Sequence, residues 1–147
     1  GAHAAGVRAV AACADCVSVE DLLEVGAIAR PHPCVREVVE TTLMLLGYRD
    51  TAWSAARALF ERPEPFVEKL RAFDASRSIS RLQYQKLCRS LANQWHDNES
   101  AESRCSACGG LERWCRAVGE LLAWRYRGAS GPAASGRQAD EAPELLD

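Results

Sequence analysis

Apolar residues recur along this chain at the three- and four-residue spacing of amphipathic helices, and they never alternate with polar residues over a useful length. The pattern predicts an all-α fold, a small bundle of about six helices. It is clearest in PCVREVVETTLMLLG, residues 33–47, where an apolar stripe lies opposite a polar face. Pro33 suits the first position of this helix, and Gly47 suits a left-handed cap at its end.

The other predicted helices follow the same spacing and are separated by Pro, Gly and Asp. They cover residues 7–29 as one helix or two short ones, 51–60 behind a capping Asp50, 66–73, 81–95, and about 101–127. The predicted core consists of Val39, Leu43, Leu46, Trp53, Phe73, Leu87, Leu111 and Trp114. The outer face of the last helix is expected to carry Glu112, Arg113, Arg116 and Glu120.

Composition supports one small domain with charged surroundings. The 147 residues suffice for a single core, and residues 1–3 are interpreted as an expression scar. Residues 128–147 are rich in Gly, Ala, Ser and Pro and then acidic, so we expect a poorly ordered tail. Between residues 30 and 127 there are 16 Lys or Arg against 12 Asp or Glu, which makes the body mildly basic although the chain as a whole carries −2.

Seven cysteines include two Cys-x-x-Cys pairs, Cys13/Cys16 and Cys105/Cys108. Four thiolates could form a structural zinc site, but the long separation and the helical setting of both pairs favour core packing over metal binding. The odd number and irregular spacing favour reduced thiols over a secreted disulfide framework. No uninterrupted apolar run is long enough for a membrane span, and we expect no membrane partner.

No catalytic arrangement is evident in the sequence. His32 and His96 stand apart from each other and from any Asp or Ser at catalytic spacing. No glycine-rich phosphate loop follows a strand. We therefore expect a non-enzymatic domain without a cofactor.

A basic stripe is the most informative charge feature. Between residues 71 and 89 only Asp74 opposes a series of cations, namely Arg71, Arg77, Arg81, Lys86 and Arg89. Such a stripe suits an acidic partner, either nucleic acid or the acidic surface of a filament. The nucleic-acid alternative lacks a helix-turn-helix and an aromatic platform between the arginines. The residues alone leave both partners open.

The order of the segments resembles the microtubule-binding domain at the stalk tip of dynein heavy chains. The matching segments are ARPHP, CVREVVETTLMLLG, TAWSAARALF, PFVEKLRAFD and SACGGLERWCRAV, which together span about residues 28–124. The resemblance implies a helical bundle at the end of a truncated antiparallel coiled-coil stalk. Residues 4–29 would end the first stalk strand, and residues 30–127 would form the bundle and run into the second strand.

By this resemblance, tubulin is the partner and three regions contact it. Arg36 and Arg57 match basic contact positions of the family. In the third region the family has a basic residue around Ser103, for which Arg104 is the nearest candidate here. The complete predicted microtubule-binding set is Arg36, Glu40, Arg57, Arg77, Arg81 and Arg104.

The resemblance also implies a location and a second partner. A dynein heavy chain belongs to the cytoplasm and cytoskeleton. The sequence LLGYRDTAWSAARALF is more similar to axonemal members of the family, which work in cilia and flagella. In outer-arm axonemal dyneins a leucine-rich-repeat light chain docks on the stalk tip, so such a light chain is a further expected partner. The ATPase ring of the parent motor is separate from this tip. In the family, the stalk couples the affinity of the tip to that distant ring.

Overall fold

The computed structural model describes residues 1–74, 79–96 and 100–127. In these ranges the chain folds into helices joined by short connections. The helices are α1 (Ala2–Asp15), α2 (Val19–Gly26), α3 (Pro33–Leu45), α4 (Trp53–Glu61), α5 (Pro63–Arg71), α6 (Arg81–His96), α7 (Ala101–Arg104) and α8 (Gly109–Arg127), with a 3₁₀ turn at Ser106–Cys108. Those ranges contain no strand, which confirms the all-α prediction, although they hold eight α-helices instead of about six. Arg77 and the predicted tail at 128–147 lie outside the described residues.

The N-terminal region forms two helices that bend by 67° at their junction. α2 begins after Ser18, whose side-chain oxygen accepts a hydrogen bond from the Asp21 amide at 3.0 Å. This cap satisfies a donor that has no partner within the helix and favours a new start at Val19. Of the two alternatives for residues 7–29, the structure therefore has the two shorter helices, and α1 already starts at Ala2.

Across the described ranges, no individual helix has both the length and the hydropathy of a membrane span; α1 and α2 reach that threshold only when counted as one bent pair.

α3 is defined by signals at both of its ends. The His32 ring accepts a hydrogen bond from the Cys34 amide at 3.2 Å, which caps the start of the helix. At the other end Gly47 has a positive φ of 91°, and the Tyr48 amide donates to the Leu43 carbonyl at 3.0 Å. A residue with a side chain would be strained at this φ, so Gly47 allows the chain to turn away from α3.

The segment expected as one helix over about 101–127 is interrupted at Cys105. This residue is extended, with φ −156° and ψ 104°, and separates α7 from the 3₁₀ turn and α8. Glu112 was expected on the outer face, but it is buried and accepts a hydrogen bond from the Glu102 amide at 2.9 Å. The interruption lets α7 fold back so that its first turn reaches this carboxylate. Both expectations were wrong because they considered a single helix without its tertiary partner.

α8 packs against α1 in antiparallel orientation. Gly6 of α1 faces Leu121 of α8, and Gly110 near the start of α8 faces Val17 in the connection between α1 and α2. A β-carbon at Gly110 would lie 3.1 Å from a methyl carbon of Val17, so the glycine permits a close approach of α8 to the connection that follows α1. α8 also packs against α3 and α6, which places it at the centre of the bundle.

The buried side chains of all these helices form one core. Among the predicted core residues, the structure buries Val39, Leu43, Leu46, Leu87, Leu111 and Trp114, and it places Trp53 and Phe73 partly buried at the edge. The Phe73 ring meets the Trp114 indole edge-to-face, with 5.2 Å between ring centroids. Such aromatic pairs add to the stabilisation that burial supplies.

Candidate surface for microtubule binding

Arg36 and Glu40 lie on the exposed face of α3, opposite the buried stripe. The Arg36 Nε atom is 3.8 Å from Glu40 Oε2, and the two side chains remain 45% and 41% exposed. An exposed ion pair at this spacing contributes at most about 1 kcal/mol. Arg36 can therefore exchange Glu40 for a carboxylate of a partner at little cost.

The local environment disfavours the charged form of Glu40. Burial raises the pKa of its carboxyl group; Arg36 lowers that pKa, whereas the neighbouring Glu37 raises it. A cationic group of a partner would stabilise the ionised carboxylate in this position. The exposed face of α3 thus offers adjacent groups of both signs.

Arg57 already has a partner within the chain. Its Nε donates to the carbonyl oxygen of Gly26 at 3.1 Å, at the C-terminal end of α2. One turn earlier on α4, the Trp53 indole N–H donates to the Ile28 carbonyl at 2.8 Å. The two side chains together attach α4 to the connection that leads into α3. The structure therefore gives Arg57 a structural contact, while its contact with tubulin stays a prediction.

Arg104 is the exposed last residue of the short helix α7. At the start of that helix Ser100 and Ser103 form a reciprocal cap: each side-chain oxygen accepts from the other residue's amide at 3.1 Å. By the family resemblance, a basic residue is expected around Ser103. In this chain the Ser103 side chain caps the start of α7, and the nearest basic residue in the sequence is Arg104, one position further on.

Arg81 lies away from the exposed face of α3. Its guanidinium group is 5.4 Å from the centre of the Tyr126 ring, at the contact between α6 and α8. Glu37, which is next to Arg36 on α3, accepts a hydrogen bond from the Asn93 side chain, near the end of α6 opposite Arg81. Arg81 precedes Asn93 by 12 residues, which is about 18 Å along a helix axis. The structure therefore does not bring Arg81 and Arg36 into one cluster.

The basic stripe of residues 71–89 does not form a continuous surface within the described residues. Arg71 lies 3.5 Å from the Asp15 carboxylate on α1, and Arg81 stacks on Tyr126. Lys86 and Arg89 face a groove between α3 and α6. This distribution offers no track for an extended nucleic acid, and nothing in the arrangement favours that alternative.

The cysteines are free thiols, and two of them lie deep in the core. Burial raises the pKa of Cys115 to about 12, although contact of its sulfur with the Thr42 hydroxyl at 3.2 Å opposes that shift. Burial also raises the pKa of Cys108 well above its ordinary value. These thiols are neutral near pH 7, so they are not prepared as nucleophiles or metal ligands. Among the residues that the structure describes, no three His, Cys, Asp or Glu side chains are grouped to hold a metal ion.

Comparison with known proteins gives one informative similarity. The chain is 26% identical over 108 residues to a dynein alpha chain of the flagellar outer arm from Chlamydomonas reinhardtii. The match covers 70% of this chain but only 2% of that relative. No family model and no solved structure matches. The helical bundle is thus similar in sequence to a small segment of a dynein heavy chain.

Proposed function

We propose that this chain is the microtubule-binding stalk tip of an axonemal dynein heavy chain. The observation that carries the proposal is the exposed Arg36 on α3, in a bundle similar to a segment of a flagellar dynein. Tubulin is acidic, and a planar guanidinium group pairs well with carboxylates. In this proposal α3 docks on the microtubule, and Arg36 contacts a tubulin carboxylate.

The pairing of α1 with α8 supports the stalk-tip assignment. Their packing, with Gly6 of α1 facing Leu121 of α8, places the first helix of the structure beside the last one described. In this proposal the two helices are the tip ends of the stalk strands, although residues 128–147 after α8 lack the heptad pattern of a continuing strand. In the parent motor this stalk would couple microtubule affinity to a distant ATPase ring, and the tip itself would have no catalytic role.

The remaining parts of the proposal concern location and partners. The similarity to a flagellar outer-arm chain favours an axonemal setting in a cilium or flagellum. In that setting a leucine-rich-repeat light chain is a proposed second partner of the tip. A pull-down of that light chain with this domain would support the assignment, and the absence of a complex would exclude the light chain.

Co-sedimentation with polymerised tubulin across a salt series tests the main proposal. We expect saturable binding that weakens with salt. Arg36→Ala should weaken it about fivefold or more, which corresponds to about 1 kcal/mol for a partly desolvated ion pair. Arg8→Ala, an exposed arginine on α1, is the matched control and should bind like the wild type. Far-UV circular dichroism should be the same for all three proteins.

The possible negative results have separate meanings. If the wild type does not sediment with microtubules even at low salt, the proposed function is wrong. If the wild type binds and Arg36→Ala binds equally well at moderate salt, Arg36 is not part of the site. If both arginine variants lose the same affinity, the binding is a response to net charge and not docking of α3.

A further inference from the structure

A groove of about 380 Å³ lies between α3, the connection that follows it, and α6. It is lined by charged side chains of both signs, together with Tyr48. Its size falls within the range typical of small-ligand sites. The predicted microtubule contacts include only Glu40 from this lining, so the groove is largely a separate feature of the surface.

Three cations of the lining form no ion pair within the described part of the chain. They are Arg49 on the connection after α3, and Lys86 and Arg89 on α6. None of them forms an ion pair or a side-chain hydrogen bond with another described residue. Lys86 and Arg89 are three residues apart, which puts them on one side of α6.

A fourth cation, Lys69, lies beside the groove, next to Tyr48. The Lys69 ammonium group is 4.5 Å from the centre of the Tyr48 ring. Tyr48 lines the groove, and its ring also stacks with Phe66 at a centroid distance of 6.1 Å. An aromatic ring held in this way offers a rigid apolar wall with positive charge next to it.

The lining also contains two carboxylates. Glu37 is fixed by the Asn93 amide, which donates to its carboxylate at 3.1 Å, and Glu40 is paired with Arg36. Lys86 precedes Asn93 by seven residues, about 10 Å along α6. Arg89 precedes Asn93 by only four residues, about 6 Å along α6, so the carboxylates lie closer to Arg89 than to Lys86.

We propose that this groove binds an acidic peptide segment of a partner protein in extended form. Carboxylates of the peptide would pair with Arg49, Lys86 and Arg89, and its backbone would lie along Tyr48. A nucleic acid fits less well, because its continuous row of phosphates would have to pass Glu37 and Glu40. A peptide can carry uncharged residues beside these two carboxylates. This inference goes beyond microtubule binding and does not depend on it.

A titration of labelled hexaglutamate, followed by fluorescence anisotropy, tests the proposal directly. The double variant Lys86→Glu/Arg89→Glu should weaken binding at least tenfold. The matched control Arg8→Glu/Arg62→Glu changes the net charge by the same amount at two exposed arginines outside the groove, and it should change affinity less than twofold. Circular dichroism and urea unfolding would verify that both variants are folded. Arg49→Ala, in the connection outside any helix, should weaken binding severalfold and serves as a milder second test.

Three results would overturn the proposal. The first is no binding of hexaglutamate to the wild type at 50 mM salt, and the second is a loss of affinity in the control as large as that in the groove variant. In a third case, single-stranded oligouridylate of equal charge would bind as tightly as the peptide and respond to the same groove variant, which would make the groove a nucleic-acid site. Because no titration contains tubulin, failure here is distinguishable from failure of microtubule binding.

Discussion

The Glu112 carboxylate accepts a hydrogen bond from the Glu102 backbone amide, with 2.9 Å between oxygen and nitrogen. Glu112 is only 4% exposed, and its second oxygen is 3.2 Å from the Arg116 guanidinium group. A buried carboxylate is tolerated when hydrogen bonds and a cation compensate for the lost water. Glu112 meets both conditions and holds α7 against α8.

Replacement of Glu112 by Ala should lower the free energy of unfolding by about 1–3 kcal/mol. The change removes the carboxylate that both the Glu102 amide and Arg116 contact. Urea unfolding followed by tryptophan fluorescence would measure the loss. Glu120→Ala, at an exposed position on the same helix, should stay within about 0.5 kcal/mol of the wild type. Equal losses in the two variants would show that the buried contact has no special role.

Gly26→Ala should also destabilise the fold, by about 1–3 kcal/mol. A β-carbon at this position would lie 2.8 Å from the Phe60 β-carbon, and Phe60 is buried and cannot move without α4. Gly6→Ala is the matched control. Its β-carbon would meet only the end of the Leu121 side chain, which can rotate, and alanine favours a helix by about 1 kcal/mol over glycine. Thermal unfolding should separate the two variants, and equal melting temperatures would contradict the close contact of α2 with α4.

Local sequence signals were sufficient to predict the fold around α3. Its apolar spacing, Pro33 and Gly47 all act within a few residues, and the structure has a helix from Pro33 to Leu45 with a positive φ at Gly47. The prediction that Asp50 caps the start of α4 is only approximately correct. The Asp50 side chain accepts from the Ala52 amide at 3.0 Å, but α4 begins only at Trp53.

Features that depend on distant residues could not be predicted in this way. The helical pattern of residues 101–127 gave no indication that Glu112 would turn inward, because its partner Glu102 lies ten residues away. The glycines at 109 and 110 were the available hint of an irregular, tightly packed start. The same limit applies to the candidate site. An exposed arginine can be recognised from sequence, whereas the contact of Arg57 with Gly26 and that of Arg81 with Tyr126 arise only from packing.

The free energy of unfolding should fall as the pH rises above 9, and Cys115 should contribute to that fall. Its pKa is raised to about 12 in the fold from an ordinary value of 9.0, so the folded state retains a proton that the unfolded state loses. Between those pH values, one such thiol lowers the free energy of unfolding by about 1.4 kcal/mol per pH unit. Below pH 9 this contribution vanishes, because the thiol is protonated in both states.

Urea unfolding of Cys115→Ala between pH 8 and 10.5 checks this expectation. The variant should lose stability less steeply with pH than the wild type, whatever its stability at pH 8. Cys16→Ala, which removes an exposed thiol instead of a buried one, is the matched control. A wild-type slope in Cys115→Ala would mean that other groups cause the alkaline loss.

Arg36 and Arg57 should respond in opposite ways to replacement by Ala, because only Arg57 has a backbone acceptor elsewhere in the fold. Arg57→Ala should lower the free energy of unfolding by about 0.5–1 kcal/mol through loss of the exposed hydrogen bond to Gly26. Arg36→Ala loses only an exposed ion pair with Glu40, so its stability should change less.

Measuring urea unfolding and microtubule co-sedimentation on both variants separates the two roles. Arg36→Ala should retain stability and lose affinity, whereas Arg57→Ala should lose stability with a smaller effect on affinity. If Arg57→Ala instead keeps wild-type stability and binds microtubules as poorly as Arg36→Ala, its contact with Gly26 is dispensable and Arg57 acts in the interface. That result would extend the microtubule-binding surface from α3 onto α4, as the family resemblance implies.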